Sequence, residues 1–149
     1  MISAHISETE AFRNNIAEKH GIKNIPDAET LKRMRAVALM VFEPLRKHFG
    51  TPILITSFFR CLNVELLAGR VGNSQHVKGE AMDIKSGSMT VSNAELFLFI
   101  RDHLIFDQLI WEKGDESNPA WVHVSYKEKN NRRQVLKTND GIRYEILTT

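Results

Sequence analysis

Asn73-Ser74-Gln75-His76-Val77-Lys78-Gly79-Glu80-Ala81-Met82-Asp83-Ile84 runs from a polar, glycine-containing approach into a short strand. Successive side chains on a strand face opposite ways, so Ala81 and Asp83 share one face while Met82 and Ile84 turn into the core. Asp83 therefore looks outward across a small neighbour, and Gly79 supplies the tight turn between His76 and that strand. The spacing S-x-H-x-x-G-x-A-x-D, taken with the later His123, suggests three ligands for one zinc ion: His76, Asp83 and His123. Two imidazoles and one carboxylate suit this borderline-soft cation, and a catalytic zinc site keeps its fourth position for water. Such a donor set points to hydrolysis.

His123 belongs to Trp121-Val122-His123-Val124-Ser125, in which Val122 and Val124 take the core face and His123 shares the other with Trp121 and Ser125. Upstream, Pro52 to Ser57 is apolar and β-branched and reads as a central strand. Ser7 with Glu10 forms a capping-box signature for one short helix running to about His20, before Gly21. Asp27 caps a second helix, whose Leu31, Met34, Ala38, Val41 and Leu45 recur at three- and four-residue steps and end near Gly50. Pro44 predicts a kink or restart in it, and Met34, Met40 and Phe42 read as core filler. Residues 58–80 form a long irregular connection with about one helical turn at 63–68, and so long a loop in a small domain is usually functional.

Ser92 and Glu95 start a helix to about His103 with Leu96, Ile100 and Leu104 inward. Two strands follow, at about 106–112 and 121–126, and then a hairpin, 135–138 with 142–147, turned by Asp140-Gly141. Helices first and mostly antiparallel strands afterwards predict an α+β fold, helices packed on a central sheet.

A chain of 149 residues fits one domain spanning 1–149, built on a single core. Hydrophobic residues are 42% and charged residues 26%, which disfavours disordered and membrane classes. No apolar run reaches the ~18 residues of a spanning helix, so no membrane segment is expected. The first fifteen residues lack a basic segment followed by an apolar one, so no secretory signal is read and the protein is expected in the cytoplasm as synthesised. A net charge of +2 is too small for a phosphate-backbone footprint, which argues against a nucleic-acid partner. The cluster Lys127, Lys129, Arg132 and Arg133 accordingly reads as a solvated face, and a monomer is expected. Cys61 is the only cysteine, which excludes an internal disulfide and a Cys-rich zinc site, and it reads as a partly buried structural thiol. His5, His20, His48 and His103 lack ligand spacing and read as surface or capping residues.

The run Ile55-Thr56-Ser57-Phe58-Phe59-Arg60, then Asn73 to Ile84, then Trp121 to Ser125, resembles the zinc D-Ala-D-Ala carboxypeptidase and phage endolysin family, peptidase family M15, with its hedgehog-like fold. The likeness extends over about 5–126, because Glu43-Pro44-Leu45-Arg46 and Phe106-Asp107-Gln108-Leu109-Ile110-Trp111-Glu112 also resemble that group. The resemblance implies one zinc ion on His76, Asp83 and His123, with Arg60 binding the substrate's carboxylate or carbonyl. The planar fork of a guanidinium suits either task. It implies peptidoglycan stem peptides as substrate, cut at D-Ala-D-Ala as by a carboxypeptidase, or at L-Ala-D-Glu or a cross-bridge as by a phage endopeptidase. Such an enzyme would reach the cell wall through a holin or within a virion. Ser74 and Gln75, beside the first ligand, are candidates either to bind substrate or to support the loop.

Two departures from the family pattern bear on mechanism. Several relatives carry Glu-x-x-His before the last ligand, the Glu acting as general base, whereas this chain has Ala120 there. A hairpin through residues 113–120 that sets Glu112 opposite Trp121 or His123 would put its carboxylate on the zinc face, so Glu112 is the expected base, with Asp115 in the turn as second candidate. Phe58-Phe59-Arg60 also replaces the commoner Gly-Tyr-Arg. The competing reading is a non-catalytic zinc-binding module of the hedgehog-like kind.

Overall fold

The computed structural model describes residues 1–147. Its centre is a mixed sheet of β1 (Ile53–Ser57), β2 (Ala81–Ser86), β3 (Gln108–Glu112), β4 (Trp121–Ser125), β5 (Gln134–Thr138) and β6 (Glu145–Ile146), in the order β1-β2-β4-β3-β5-β6. Every neighbouring pair is antiparallel except β3 and β5, which run parallel. The helices are α1 (Glu8–Phe12), α2 (Asn15–His20), α3 (Ala28–Val37), α4 (Glu43–Phe49), α5 (Leu62–Leu67) and α6 (Asn93–His103). The fold is α+β.

One face of the sheet makes the core. Ile53, Ile55, Met82, Ile84, Leu109, Val122, Val124 and Val135 pack with Met34, Val37, Val41, Phe42 and Leu45 of the α3–α4 rod and with Leu96, Phe97 and Ile100 of α6. Each such side chain, fully buried, contributes roughly 1.5–3 kcal/mol of transfer free energy. The period-2 alternation that sends these residues inward sends Asp83, Ile110, Glu112 and His123 to the opposite face.

Several local expectations change. The single N-terminal helix is two, because Arg13 is extended (ψ 132°) and the Asn14 side chain accepts the Ala17 N–H to cap a new helix that ends at left-handed Gly21. As expected, a helix restarts near Pro44: α4 begins at Glu43, and its first turn holds the proline. The missing proline amide is accommodated by a π-helical turn, Ala38–Phe42, in which the Glu43 N–H reaches five residues back to Ala38 O. Met40 lies between the stripe positions Ala38 and Val41 and is 40% exposed, so it is not core filler, whereas Met34 and Phe42 are buried. Strand β1 is an edge strand with β2 as its one neighbour, and Leu54 is exposed on it. In α6, Leu96 and Ile100 are buried as expected and Phe97 joins them, while Leu104, just past the helix end, packs partly buried against the core. The closing hairpin keeps only two residues in β6, because Asp140 Oδ1 accepts the Ile142 and Arg143 N–H groups and holds the preceding residues in a turn.

The basic cluster is not simply a solvated face. Arg133 donates to the carbonyls of Leu104 and Arg101 and lies over the Phe106 ring, and Arg132 grips the buried Asp107 through two nitrogens. Those contacts pin the β4–β5 crossover. Burial pushes the Asp107 carboxyl up, but the hydrogen bonds and charge of Arg132, helped by Lys127, outweigh it and leave it at about 2. A carboxyl whose folded pKa lies below its unfolded value, ~3.9, stabilises the fold above that value, and the contribution is lost as pH falls through about 2. Asp107→Asn is therefore expected to flatten the loss of stability between about pH 4 and 2. Urea unfolding across that range would show it, and an unchanged slope would contradict it.

Candidate metal centre and its cavity

Strand register does most of the assembly. Asp83 on β2 and His123 on β4 are direct cross-strand partners, so their side chains stand side by side on the open face. His76 arrives from the loop before β2. There Gly79 has φ +75°, and a Cβ on it would lie 2.7 Å from Thr30 O and 2.8 Å from Met34 Cγ. Only glycine lets the loop turn this tightly against α3.

His123 Nδ1 stands 3.0 Å and His76 Nε2 3.4 Å from the same Asp83 Oδ1. One donor atom from each of the three residues lies within 4.8 Å of the others. The His76 Nδ1–H donates to Phe58 O at 2.7 Å, and because a carbonyl only accepts, Nε2 is left with its lone pair toward Asp83. Burial, reinforced by Arg60 and His123, pushes His76 below the usual histidine range against the pull of Asp83, which favours the neutral imidazole a metal needs. Burial pushes Asp83 up, but the two histidines outweigh it and hold the carboxyl well below its ordinary range. His123 Nε2 is buried and makes no hydrogen bond among the described residues. Two nitrogens and a carboxylate oxygen converging beside an open cavity fit a three-ligand metal site.

The cavity, about 590 Å³, is lined by the three donors, by Arg60, Ser74, Gln75 and Glu112, and also by Arg70, Arg132 and Tyr144. Arg60 donates from Nε to Glu65 Oε1 at 3.0 Å and from Nη1 to Ser57 Oγ at 3.1 Å. The Ser74 hydroxyl gives its proton to Glu65 Oε1 and accepts the His76 N–H. Gln75 Nε2 donates to Asp107 Oδ2.

Glu112 is paired with Trp121 across the β3–β4 hairpin, and its carbonyl accepts the Ala120 N–H. The carboxylate side chain thus reaches the cavity from the strand facing the family's usual base position. It is 8% exposed. Burial pushes its pKa up and the Asp83 charge adds to that, while His123 opposes it. Asp115 stands apart from the cavity lining: its Oδ1 accepts from the Ser117 N–H, the Ser117 hydroxyl and the Asn118 N–H, which makes it a turn-former.

Of the other histidines, His5 meets Glu43 Oε2 at 2.7 Å, and His48 stacks on Phe99. Cys61 is partly buried against the core. Sequence reasoning passed over Glu65 and Tyr144. Glu65 follows Arg60 by five residues inside the loop already singled out as functional, which was the available signal. Tyr144 sits in an irregular turn with no periodicity to mark it.

No curated protein matches the chain. Residues 4–125 match the model of the family described as Peptidase M15, and that span takes in His76, Asp83 and His123 as well as Arg60 and Glu112. Most of the chain is thus matched, and we conclude that it belongs to the peptidase M15 family and is a hydrolase of metal-dependent type.

Proposed function

We propose that the protein is a zinc metallopeptidase that hydrolyses peptidoglycan stem peptides. The carrying observation is the convergence of His76, Asp83 and His123 in a cavity that also holds a buried carboxylate, Glu112, and a guanidinium, Arg60. These three residues would hold the ion, which when bound supplies an acidified water and a polarised scissile carbonyl. Glu112 takes a proton from the attacking water on its carboxylate oxygen and gives it to the departing amine. Its raised pKa brings it closer to the operating pH than an exposed carboxylate would be. Arg60 anchors the substrate's carboxylate or its carbonyl oxygen. Gln75, with its amide nitrogen committed to Asp107, accepts a substrate N–H on its amide oxygen. Ser74, its proton committed to Glu65, supports the His76 turn more than it binds substrate.

Synthetic stem peptides with a D-Ala-D-Ala terminus, its amide, and an internal L-Ala-D-Glu bond test this reading when products are read by mass spectrometry. Cleavage of one of them is expected, and its site names the bond. Metal-loaded protein that cleaves none of them would favour the non-catalytic module. Arg60→Lys keeps the charge and loses the fork, so kcat/KM should fall by roughly 10–100-fold, the worth of a hydrogen bond to a charged group, with metal content unchanged. Unchanged kinetics in that variant would remove Arg60 from the site.

A further inference from the structure

Glu65 lies on α5 in the connection between β1 and β2, and its carboxylate is fully shielded from solvent. Burying a carboxylate is strongly unfavourable unless cations and donors compensate it, and an apolar residue would dock a short helix at least as well. The compensation here comes from the metal-site cavity wall. Oε1 accepts from Arg60 Nε at 3.0 Å and from the Ser74 hydroxyl at 2.6 Å, and Arg70 Nε is 3.9 Å from Oε2. Ser74 Oγ accepts the His76 N–H at 3.2 Å, and the Arg60 N–H donates to His76 O at 3.4 Å. One carboxylate is therefore linked both to the cationic anchor and to the turn that carries the first metal ligand.

We propose that Glu65 is a positioning residue that fixes the Arg60 guanidinium in one orientation at the cavity wall. A free arginine side chain samples many rotamers, and ordering it on substrate would weaken binding. With Nε held by Glu65 and Nη1 by Ser57, Nη2 makes no hydrogen bond within the described residues and is left for a substrate oxygen. The peptidase reading enters only in naming that oxygen as a peptide's terminal carboxylate.

The test uses zinc-loaded full-length protein and two probes, acetyl-D-Ala-D-Ala and its C-terminal amide, with binding read by calorimetry and turnover by mass spectrometry. Wild type should prefer the acid. Glu65→Gln should bind the acid about 10–100-fold more weakly, the usual effect of losing a supporting partner, with amide binding and zinc content little changed. In an Arg60→Ala background the same change should add nothing. Glu65→Asp keeps the charge but shortens the reach, so it should show an intermediate loss even if Glu65→Gln folds poorly. Full acid preference in folded Glu65→Asp and Glu65→Gln, or a loss that is additive with Arg60→Ala, would overturn the inference and leave the peptidase reading standing. Acid-selective binding that depends on Glu65 and Arg60, without cleavage of any stem peptide, would do the reverse.

Discussion

Glu112→Gln is expected to lower turnover by about 10²–10⁴-fold, the usual contribution of a positioned acid or base, with metal content unchanged. The substitution preserves size and removes the titrating oxygen. Glu112 is buried against the His123 strand and its own carbonyl already accepts the Ala120 N–H, so the backbone pairing survives the change. An amide at this position also relieves the burial that now disfavours the charge, so folding should not suffer. Asp115→Asn is the matched control. Its side chain organises the turn and not the cavity, so it should alter stability slightly and turnover hardly at all. A Glu112→Gln enzyme within a few-fold of wild type would remove Glu112 as base, and an inactive Asp115→Asn would move the role to the turn.

The second large effect concerns the donors themselves. His76→Ala and Asp83→Ala should each abolish tight metal binding and reduce peptide cleavage to background, since a three-ligand site left with two donors is incomplete. Asp83 matters twice, because its Oδ1 faces both histidines. Binding of an ion to the folded chain alone stabilises it, by about 2.7 kcal/mol at a hundredfold excess over Kd. Chelation should accordingly lower the wild-type melting temperature by roughly 5–10 °C for a chain of this size. The two variants, having no metal to lose, should not respond to chelator. Either variant keeping a full equivalent of metal would exclude that residue as a ligand.

The core face and the site face were legible because strand alternation is local: Met82 and Ile84 inward already implied Asp83 outward, and Val122 and Val124 did the same for His123. The α3–α4 stripe, the Ser92 cap and the Gly79 turn were equally local signals. Sheet order was not. Whether Ile53–Ser57 is central or at an edge depends on which distant strands pair with it, and nothing within that strand encodes the answer. The parallel placement of β5 beside β3 likewise depends on the crossover that Asp107 and Arg132 pin, a contact between residues 25 positions apart. The same limit hid Glu65, whose significance lies in partners brought together by the loop's three-dimensional path. It also hid the π-helical turn, which a regular 3.6-residue stripe does not announce.

Turnover of a cleaved stem peptide, followed after complete metal removal and then during zinc titration, tests the central claim most directly. Activity should vanish on chelation and return in proportion to zinc, reaching its plateau at about one equivalent per chain, as a single three-ligand centre requires. Cleavage that persists at full rate in the metal-free protein would contradict the account.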